Sequence, residues 1–288
     1  MRYLEYEKVV SAVEGLCVSA CYELPSDVLD ALIEAKAKES NRAAADILGK
    51  LIDNAQIAKD EKIPLCQDTG LAVVFVEQGE GVAVESGGNK DGQSAVVSAI
   101  NAGVSAGYEK GYLRKSVVAE PLNLRGNTKT NTPAIIHHEI VPGDKLKITV
   151  MTKGGGCENK SRFKMFRPTD DKQLVVEWVV NVVGKAGADA CPPFIIGVGI
   201  GGNFELSCLL SKKALLRNLT DRNPDGFYAG LEGEILEAAN KLGVGPGGLG
   251  GDTTALGCMI ETAGCHIASL PVAVNIECHS HRHKTMVL

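Results

Sequence analysis

The sequence predicts a mixed α/β fold of the α+β type, in which helices pack around a sheet within a single domain spanning residues 1–288. Two observations support this class. Segments with helical periodicity alternate with short apolar segments of strand length, the pattern expected of helices that cover a sheet. No internal repeat and no long low-complexity linker divides the 288 residues. At this length one large domain or two small ones are expected, and the absence of a linker favours one.

The N-terminal part, about residues 1–60, is predicted to be mainly helical. Pro25-Ser26 is typical of a helix start, and an apolar stripe follows it at Val28, Leu29, Leu32 and Ile33. A second helix is predicted to begin near Asn41. Its apolar residues recur at i, i+3, i+4, i+7, i+8 and i+11, namely Ala44, Ile47, Leu48, Leu51, Ile52 and Ala55.

The later elements follow from periodicity and from turn residues. In order, we predict a strand Leu71–Val76, a loop with a short strand over Gly79–Gly92, a helix Gln93–Tyr108, strands Ala134–Val141 and Lys145–Thr152, a helix Lys172–Val183, a strand Phe194–Ile200, helices Glu205–Leu216 and Leu231–Leu242, and strands Leu256–Ile260 and Val272–Ile276. Pro142-Gly143-Asp144 lies between two of these strands and predicts that they form a β-hairpin.

The charge balance argues against several classes of function. There are 30 Lys+Arg and 35 Asp+Glu, a net charge of −5, and no basic cluster of the kind that neutralises nucleic-acid phosphates. The longest apolar stretches, such as Phe194–Ile200, are far shorter than the ~20 residues of a membrane span. The N-terminal residues MRYLEYEKVV lack the apolar core of a signal peptide. We therefore expect a cytoplasmic protein that binds neither nucleic acid nor membrane.

The nine cysteines divide into two groups by context. One group lies in apolar runs and consists of Cys17, Cys208 and Cys258. Free cysteines in such runs usually behave as small buried hydrophobic residues. Cys66, Cys191 and Cys278 instead lie at predicted element ends, where ligands are commonly placed, beside polar residues or prolines. No C-x-x-C pair is present, so spacing alone gives only a weak indication of a metal site.

Two alternatives of other classes follow from local motifs. Gly197-Val-Gly-Ile-Gly-Gly202 matches the dinucleotide fingerprint G-x-G-x-x-G after a predicted strand, which would indicate an NAD-dependent oxidoreductase. The same pattern recurs from Gly243 and from Gly245, however, and the polar segment 218–225 stands where the next parallel strand should lie. Cys278-His-Ser-His-Arg-His283 holds four residues of types that bind zinc, which would indicate a zinc-binding interaction module.

Several short motifs occur along the chain in a defined order. Together they identify a protein family more specifically than any single motif does. They are Cys66-Gln-Asp-Thr-Gly70, Asn131-Thr-Pro-Ala134, Gly154-Gly-Gly-Cys-Glu-Asn-Lys-Ser161, Ala190-Cys-Pro-Pro193, Gly199-Ile-Gly-Gly-Asn-Phe-Glu205, Lys241-Leu-Gly-Val-Gly-Pro-Gly-Gly-Leu-Gly-Gly251 and Cys278 with Arg282. Together they resemble the iron–sulfur hydro-lyase family of oxygen-sensitive class I fumarases and L-tartrate dehydratases. The resemblance is closest to the α subunit of the two-subunit form and extends from about Ser26 to Arg282.

The resemblance implies a [4Fe–4S] cluster held by three cysteines, which match Cys66, Cys191 and Cys278. Cysteine thiolates are the usual ligands of such clusters. Three ligands leave one iron without a protein ligand, and that iron can act as a Lewis acid on a substrate hydroxyl.

The resemblance also assigns the remaining site residues. It implies that Gln67, Arg114 and Gly155 contact a small dicarboxylate substrate, and that Asp68 and His266 move a proton to the departing hydroxyl. The implied activity is the reversible hydration of fumarate to L-malate, with L-tartrate dehydration as the alternative. No base for the substrate C–H proton is found among the motifs, so a separate β subunit is expected to complete the active site, in an α₂β₂ assembly. The alternative is that this chain suffices, with His279 or Lys160 as the base.

Overall fold

The computed structural model describes residues 1–87 and 92–288, which fold into two compact units. The first unit comprises Met1–Pro25, Ala55–Gly155 and Arg282–Leu288, and the second comprises Ser26–Asn54 and Gly156–His281. Both contain helices and strands, which confirms the mixed α/β class, while a single domain over residues 1–288 stays a prediction. Residues 88–91 of the predicted 79–92 loop lie outside the described residues.

The described residues contain eight α-helices. They are α1 (Tyr6–Tyr22), α2 (Ser26–Lys38), α3 (Arg42–Glu61), α4 (Ala95–Lys110), α5 (Gly155–Glu158), α6 (Lys172–Ala186), α7 (Phe204–Ala214) and α8 (Gly226–Asn240). The starts of α2 and α3 confirm the predicted starts at Pro25-Ser26 and near Asn41. No helix in this part of the chain combines the length and apolar character needed to cross a membrane.

Ten strands lie in the same described ranges. They are β1 (Arg2–Leu4), β2 (Leu71–Gly79), β3 (Val82–Val84), β4 (Ile135–Val141), β5 (Leu146–Lys153), β6 (Arg162–Phe166), β7 (Phe194–Gly202), β8 (Ala255–Cys265), β9 (Leu270–Glu277) and β10 (His283–Val287). The sequence predictions did not include β1, β6 or β10. These strands are short, and β6 and β10 are largely exposed, so they lack the continuous apolar runs that make buried strands visible.

The first unit is built on a four-stranded sheet with the order β10-β5-β2-β4. Its helices α1 and α4 contact each other closely, and α1 also contacts β5. Glycines in α4 permit this approach, because a Cβ at Gly103 would lie 2.6 Å from the Cβ of Val13, and one at Gly107 would lie 2.9 Å from the Cβ of Cys17. The helix pair therefore buries its apolar side in the core beside the sheet.

The predicted hairpin is wrong in its pairing, although both of its strands exist. β4 and β5 do not pair with each other, because β2 lies between them, parallel to β4 and antiparallel to β5. The turn at residues 142–144 instead crosses the end of β2, where Gly79 N–H donates to Lys145 O (2.8 Å) and Gly81 N–H donates to Gly143 O (2.9 Å). β2 takes the central position because its residues 72–76 are buried, which is typical of an inner strand.

The second unit contains a four-stranded sheet with the order β6-β9-β7-β8, in which β7 is parallel to β8 and antiparallel to β9. Helices α6, α7 and α8 contact strands of this sheet or each other. α8 begins at Gly226, five residues before its predicted start, because the Asp225 carboxylate caps it by accepting the Phe227 N–H (2.8 Å), the usual role of an aspartate at a helix start.

The glycines of the predicted dinucleotide fingerprint lie inside β7, which extends to Gly202. A Cβ at Gly197 would lie 2.1 Å from Ser211 O, and one at Gly199 would lie 2.0 Å from Ser207 O, both on α7. These glycines therefore allow α7 to pack directly onto the sheet. This packing role explains the motif without a dinucleotide, which in the fingerprint binds at a turn after the strand.

We expect Gly199→Ala to destabilise the protein by about 3 kcal/mol, at the upper end for overpacking, because the new methyl group would overlap backbone of α7. Gly233→Ala on the exposed side of α8 is the matched control, since a Cβ added at this position would have no atom within 4 Å. That change should stabilise the helix by about 0.5–1 kcal/mol. Chemical denaturation of the two variants checks the difference, and equal stabilities would refute the packing role of Gly199.

Candidate functional site

The segment Cys66–Gly70 lies between α3 and β2 in the first unit and is held by buried hydrogen bonds. The Tyr108 hydroxyl donates to the carbonyl oxygens of Thr69 (2.9 Å) and Gly70 (3.0 Å), and the Asn131 amide also donates to Gly70 O (3.1 Å). These bonds fix the backbone immediately after the predicted ligand Cys66.

Gly70 is required by the close approach of another strand. Its φ is +76°, and a Cβ there would lie 2.5 Å from the carbonyl oxygen of Lys153 at the end of β5. Only glycine adopts this conformation without strain and leaves room for that contact. The glycine that ends Cys66-Gln-Asp-Thr-Gly70 therefore places this segment beside Lys153–Gly155.

Asp68 links the two segments of this site. One carboxylate oxygen accepts the Gly155 N–H (2.8 Å) and the other accepts the Gly70 N–H (3.1 Å). Arg282, only 2% exposed, donates from Nη1 to the backbone oxygen of Asp68 (2.6 Å). Both oxygens of the Asp68 side chain therefore act as hydrogen-bond acceptors.

Three further predicted residues belong to the same neighbourhood. The half-buried Cys66 donates its S–H to Gln67 Oε1 (3.3 Å), and Gln67 itself is exposed. Arg114 is also exposed, and its backbone oxygen accepts a hydrogen bond from the Thr69 hydroxyl (2.9 Å). Within residues 1–87 and 92–288, the Arg114 guanidinium makes no hydrogen bond or ion pair, so it is available to an anion. The first unit thus brings together Cys66, Gln67, Asp68, Arg114 and Gly155.

Cys191 lies in the second unit, directly after a single 3₁₀ turn at Ala188–Ala190. Its φ of 56° and ψ of 67° are left-handed, a conformation that is uncommon for residues with a side chain. Its N–H donates to Ala188 O (3.1 Å), and the residue is exposed. The thiol is therefore presented to the outside at a tight turn.

Backbone contacts join the segments of Cys191 and Cys278. Cys278 directly follows β9, and the N–H of His279 donates to the Cys191 carbonyl oxygen (3.4 Å). The glycine-rich loop at residues 243–251 contacts the same turn, because Gly247 N–H donates to Pro192 O (2.9 Å). The second unit therefore brings two of the three predicted ligand segments together.

His266 lies in the exposed turn between β8 and β9. Its Nδ1 accepts the backbone N–H of Ala268 (3.1 Å), so the neutral ring carries its proton on Nε2. That tautomer leaves an N–H donor directed away from the backbone contact. The expected pairing of His266 with Asp68 joins residues of the two units and stays a prediction.

Four of the other thiols lie where burial raises their pKa. Burial raises the pKa of Cys17 and Cys258 well above the usual range, and it raises the pKa of Cys21 and of the half-buried Cys208 as well. Because the thiolate is the ligand form, these sites disfavour metal binding. Cys66 and Cys278 are half-buried and Cys191 is exposed. These three thiols fit the donor set of an iron–sulfur cluster, and Cys265 is exposed as well.

In the second unit, two further residues with ligand side chains were not among the predicted site residues. Cys157, Glu277 and Cys278 form the one group of three or more potential metal ligands within the described ranges, with ligand atoms within 4.8 Å of one another. Cys157 lies inside the Gly154–Ser161 motif and Glu277 precedes a predicted ligand, so both positions could have been noticed. The group contains no histidine, which gives no support to the zinc module predicted from Cys278–His283.

A charged pair lies beside the Cys191 turn. Lys160 Nζ and Asp189 Oδ2 are 2.9 Å apart, and the Lys160 ammonium holds the pKa of Asp189 below its usual value. Because this pair is solvent-exposed on the aspartate side, its contribution to stability is small. It does engage Lys160, which is therefore a poor candidate for a catalytic base.

Comparison with known proteins places these motifs in a family. A family model described as "Fumarate hydratase (Fumerase)" matches residues 10–287. The "Putative L(+)-tartrate dehydratase subunit alpha" of Methanocaldococcus jannaschii is 39% identical over 279 residues, which cover 96% of this chain and 95% of that protein.

Bacterial relatives show the same correspondence. The "L(+)-tartrate dehydratase subunit alpha" of Escherichia coli O157:H7 is 31% identical over 283 residues, covering 98% of this chain and 91% of the relative. The protein of the same name from Escherichia coli strain K12 is also 31% identical over 283 residues. The similarity therefore extends over nearly the full length of each chain.

Proposed function

The chain belongs to the iron–sulfur hydro-lyase family of class I fumarate hydratases and L-tartrate dehydratases, and from this premise we propose that it is the α subunit of an L-tartrate dehydratase. The observation that carries the choice of substrate is the name of the relatives, which match 96–98% of the chain as tartrate dehydratase α subunits. The fumarate hydration expected from the family resemblance is not confirmed and becomes the second candidate, supported by the description of the family model.

Cys66, Cys191 and Cys278 are proposed to hold a [4Fe–4S] cluster. When bound, the cluster supplies a Lewis-acidic iron that polarises the C–O bond of the substrate hydroxyl. The accessible thiols at these positions and the raised pKa of the buried ones support this choice of ligands.

The substrate carboxylates need donors that match their charge and shape. A guanidinium binds a carboxylate through two parallel hydrogen bonds, and Arg114 is exposed without a partner in the described ranges. Gln67 offers an exposed amide beside Cys66, and the Gly155 backbone lies next to Asp68. We propose that these three residues bind and orient the diacid.

Proton transfer to the departing hydroxyl is proposed to involve Asp68 and His266. The tautomer of His266 carries its proton on Nε2, and the Asp68 carboxylate is an acceptor held by two amides. The departing hydroxide takes its proton from the protonated form of this pair, either the His266 imidazolium or the Asp68 carboxylic acid, and such general acid catalysis contributes about 10²–10⁴-fold to rate in enzymes.

The substrate is tested by assaying the anaerobically reconstituted protein together with a β chain. Removal of water from L-tartrate gives the enol of oxaloacetate, whereas removal of water from L-malate gives fumarate. We expect the higher kcat/KM with L-tartrate. A higher value with L-malate would replace the tartrate proposal by the fumarate one, and inactivity on both would refute a 2-hydroxy diacid substrate.

Asp68→Asn is expected to retain the cluster and to lower turnover by about 10²-fold or more, because an amide can neither hold nor transfer the proton. Asp60→Asn, at the C-terminal end of α3 in the same unit, should leave activity unchanged. Iron and sulfide content together with kcat measure the two effects separately. Normal turnover of Asp68→Asn would remove this residue from the proposed mechanism.

Arg114→Ala is expected to raise KM for the diacid by about 10-fold or more, since a charge-assisted bidentate contact contributes about 1.5–3 kcal/mol. The neighbouring Lys115 is the control, because it is already paired with Glu109. Steady-state kinetics of Arg114→Ala and Lys115→Ala should therefore diverge. An unchanged KM in the arginine variant would contradict its role in substrate binding.

A further inference from the structure

Cys157, Glu277 and Cys278 form a compact group of potential ligands in the second unit. Cys157 lies in α5, Glu277 ends β9 and Cys278 follows it. The Cys157 S–H donates to Glu277 Oε1 (3.1 Å), and the same oxygen accepts the Cys278 N–H (3.0 Å). All three ligand atoms lie within 4.8 Å of one another, a spacing that one ion can bridge with small side-chain movements.

The burial of this group is unusual for its chemistry. Glu277 is 1% exposed and Cys157 is 3% exposed, whereas Cys278 is half-buried. A buried carboxylate is costly unless it is hydrogen-bonded, paired with a charge or bound to a metal. Glu277 meets this condition through its two hydrogen bonds, and one of them comes from a thiol that becomes a strong ligand once its proton leaves.

The donor atoms select a class of cation. Two thiolates and one carboxylate carry three negative charges and suit a borderline-soft divalent ion such as Zn²⁺ or Fe²⁺, while Mg²⁺ and Ca²⁺ prefer oxygen ligands. Three protein ligands also leave a position for water in a tetrahedral site. Binding would release the two thiol protons to solvent.

We propose that Cys157, Glu277 and Cys278 bind a single divalent ion of the zinc and ferrous-iron class in the cluster-free protein. Occupation of this site and of the cluster site are mutually exclusive, because both use the Cys278 thiolate. The exclusion rests on the proposed role of Cys278 in the cluster, whereas the binding of the single ion does not.

Cobalt titration of the cluster-free full-length chain tests the ion site without any activity assay. We expect intense thiolate-to-cobalt absorption that saturates at one Co²⁺ per chain and that Zn²⁺ displaces. Cys157→Ser and Glu277→Gln should each weaken binding by at least about 10-fold, and Cys208→Ser, a thiol of the same unit outside the group, should not. Absent thiolate absorption, or unchanged binding by Cys157→Ser, would overturn the proposal.

Wild-type protein provides a second measurement that does not depend on how the variants fold. X-ray absorption of the zinc-loaded chain should show two sulfur neighbours at about 2.3 Å and the remainder as oxygen or nitrogen. No sulfur neighbour, or four, would contradict the assigned ligands. Both measurements report the binding of the single ion, so they can confirm the ion site even if the protein has no dehydratase activity.

The competition between the single ion and the cluster is tested by following cluster reconstitution with and without prior zinc loading. Zinc should slow the appearance of cluster absorbance in the wild-type chain and have little effect in Cys157→Ser, which should still reach the wild-type content of iron and sulfide. Equal slowing in both proteins, or failure of Cys157→Ser to form the cluster, would overturn the proposed competition through Cys278.

Discussion

Cys66→Ser, Cys191→Ser and Cys278→Ser are each expected to lose the iron–sulfur cluster and to reduce turnover by about 10³-fold or more. The size of the effect follows from the several kcal/mol that a Lewis acid contributes to such a reaction. A serine hydroxyl is a much poorer ligand for iron in a cluster than a thiolate, and each of the three proposed ligands is needed when no fourth is supplied.

Cys208→Ser is the matched control for these variants. Burial raises the pKa of Cys208, and Cys208 lies on α7 away from all three ligand segments in sequence. This variant should keep wild-type absorbance, iron and sulfide content and activity after anaerobic reconstitution. If a serine at position 66, 191 or 278 left the cluster content unchanged, that cysteine would no longer be a ligand.

The reconstituted chain on its own is expected to be at least about 10²-fold less active than the same chain with a β subunit. Dehydration requires a base that removes the proton from carbon, and a general base contributes about 10²–10⁴-fold. The residues assigned above bind carboxylates or donate a proton to the hydroxyl. Lys160, one of the two alternative bases in the sequence, is engaged by Asp189.

The β subunit is proposed from the relatives' designation as α subunits and from this missing base. A partner would also restrict the access of water, which strengthens the electrostatic contacts around the substrate. Activity assays and sedimentation of the chain with and without a β chain test the proposal, with an α₂β₂ complex expected. Full turnover by the isolated chain would refute the separate subunit as a requirement.

Much of the secondary structure was predictable because its signals are local. The periodic apolar residues of α3 and the apolar run of β7 identify these elements without any tertiary information. The pairing of the strands was less predictable. The turn at residues 142–144 has the composition of a hairpin, but a strand from about 60 residues earlier, β2, occupies the position between its two arms.

Local sequence patterns also identified residues of the candidate site without predicting the contacts between them. The cysteine contexts and ordered motifs selected Cys66, Cys191 and Cys278, yet only the structure shows that Gly70 is needed because the Lys153 carbonyl approaches it. The contact between Cys157 and Glu277 joins residues 120 apart in sequence. Conversely, the glycines at 197–202 match a nucleotide motif but serve the packing of α7 on β7.

The central claim is that this chain binds a hydroxy diacid at an iron of a cluster that its own cysteines hold. Mössbauer spectra of the anaerobically reconstituted protein with its β subunit, recorded with and without L-tartrate, test it most directly. We predict that one iron site of the cluster changes its spectrum on addition of L-tartrate while the others stay constant. A protein that binds no iron and sulfide, or a cluster whose spectrum is unaffected by a substrate that turns over, would contradict the account.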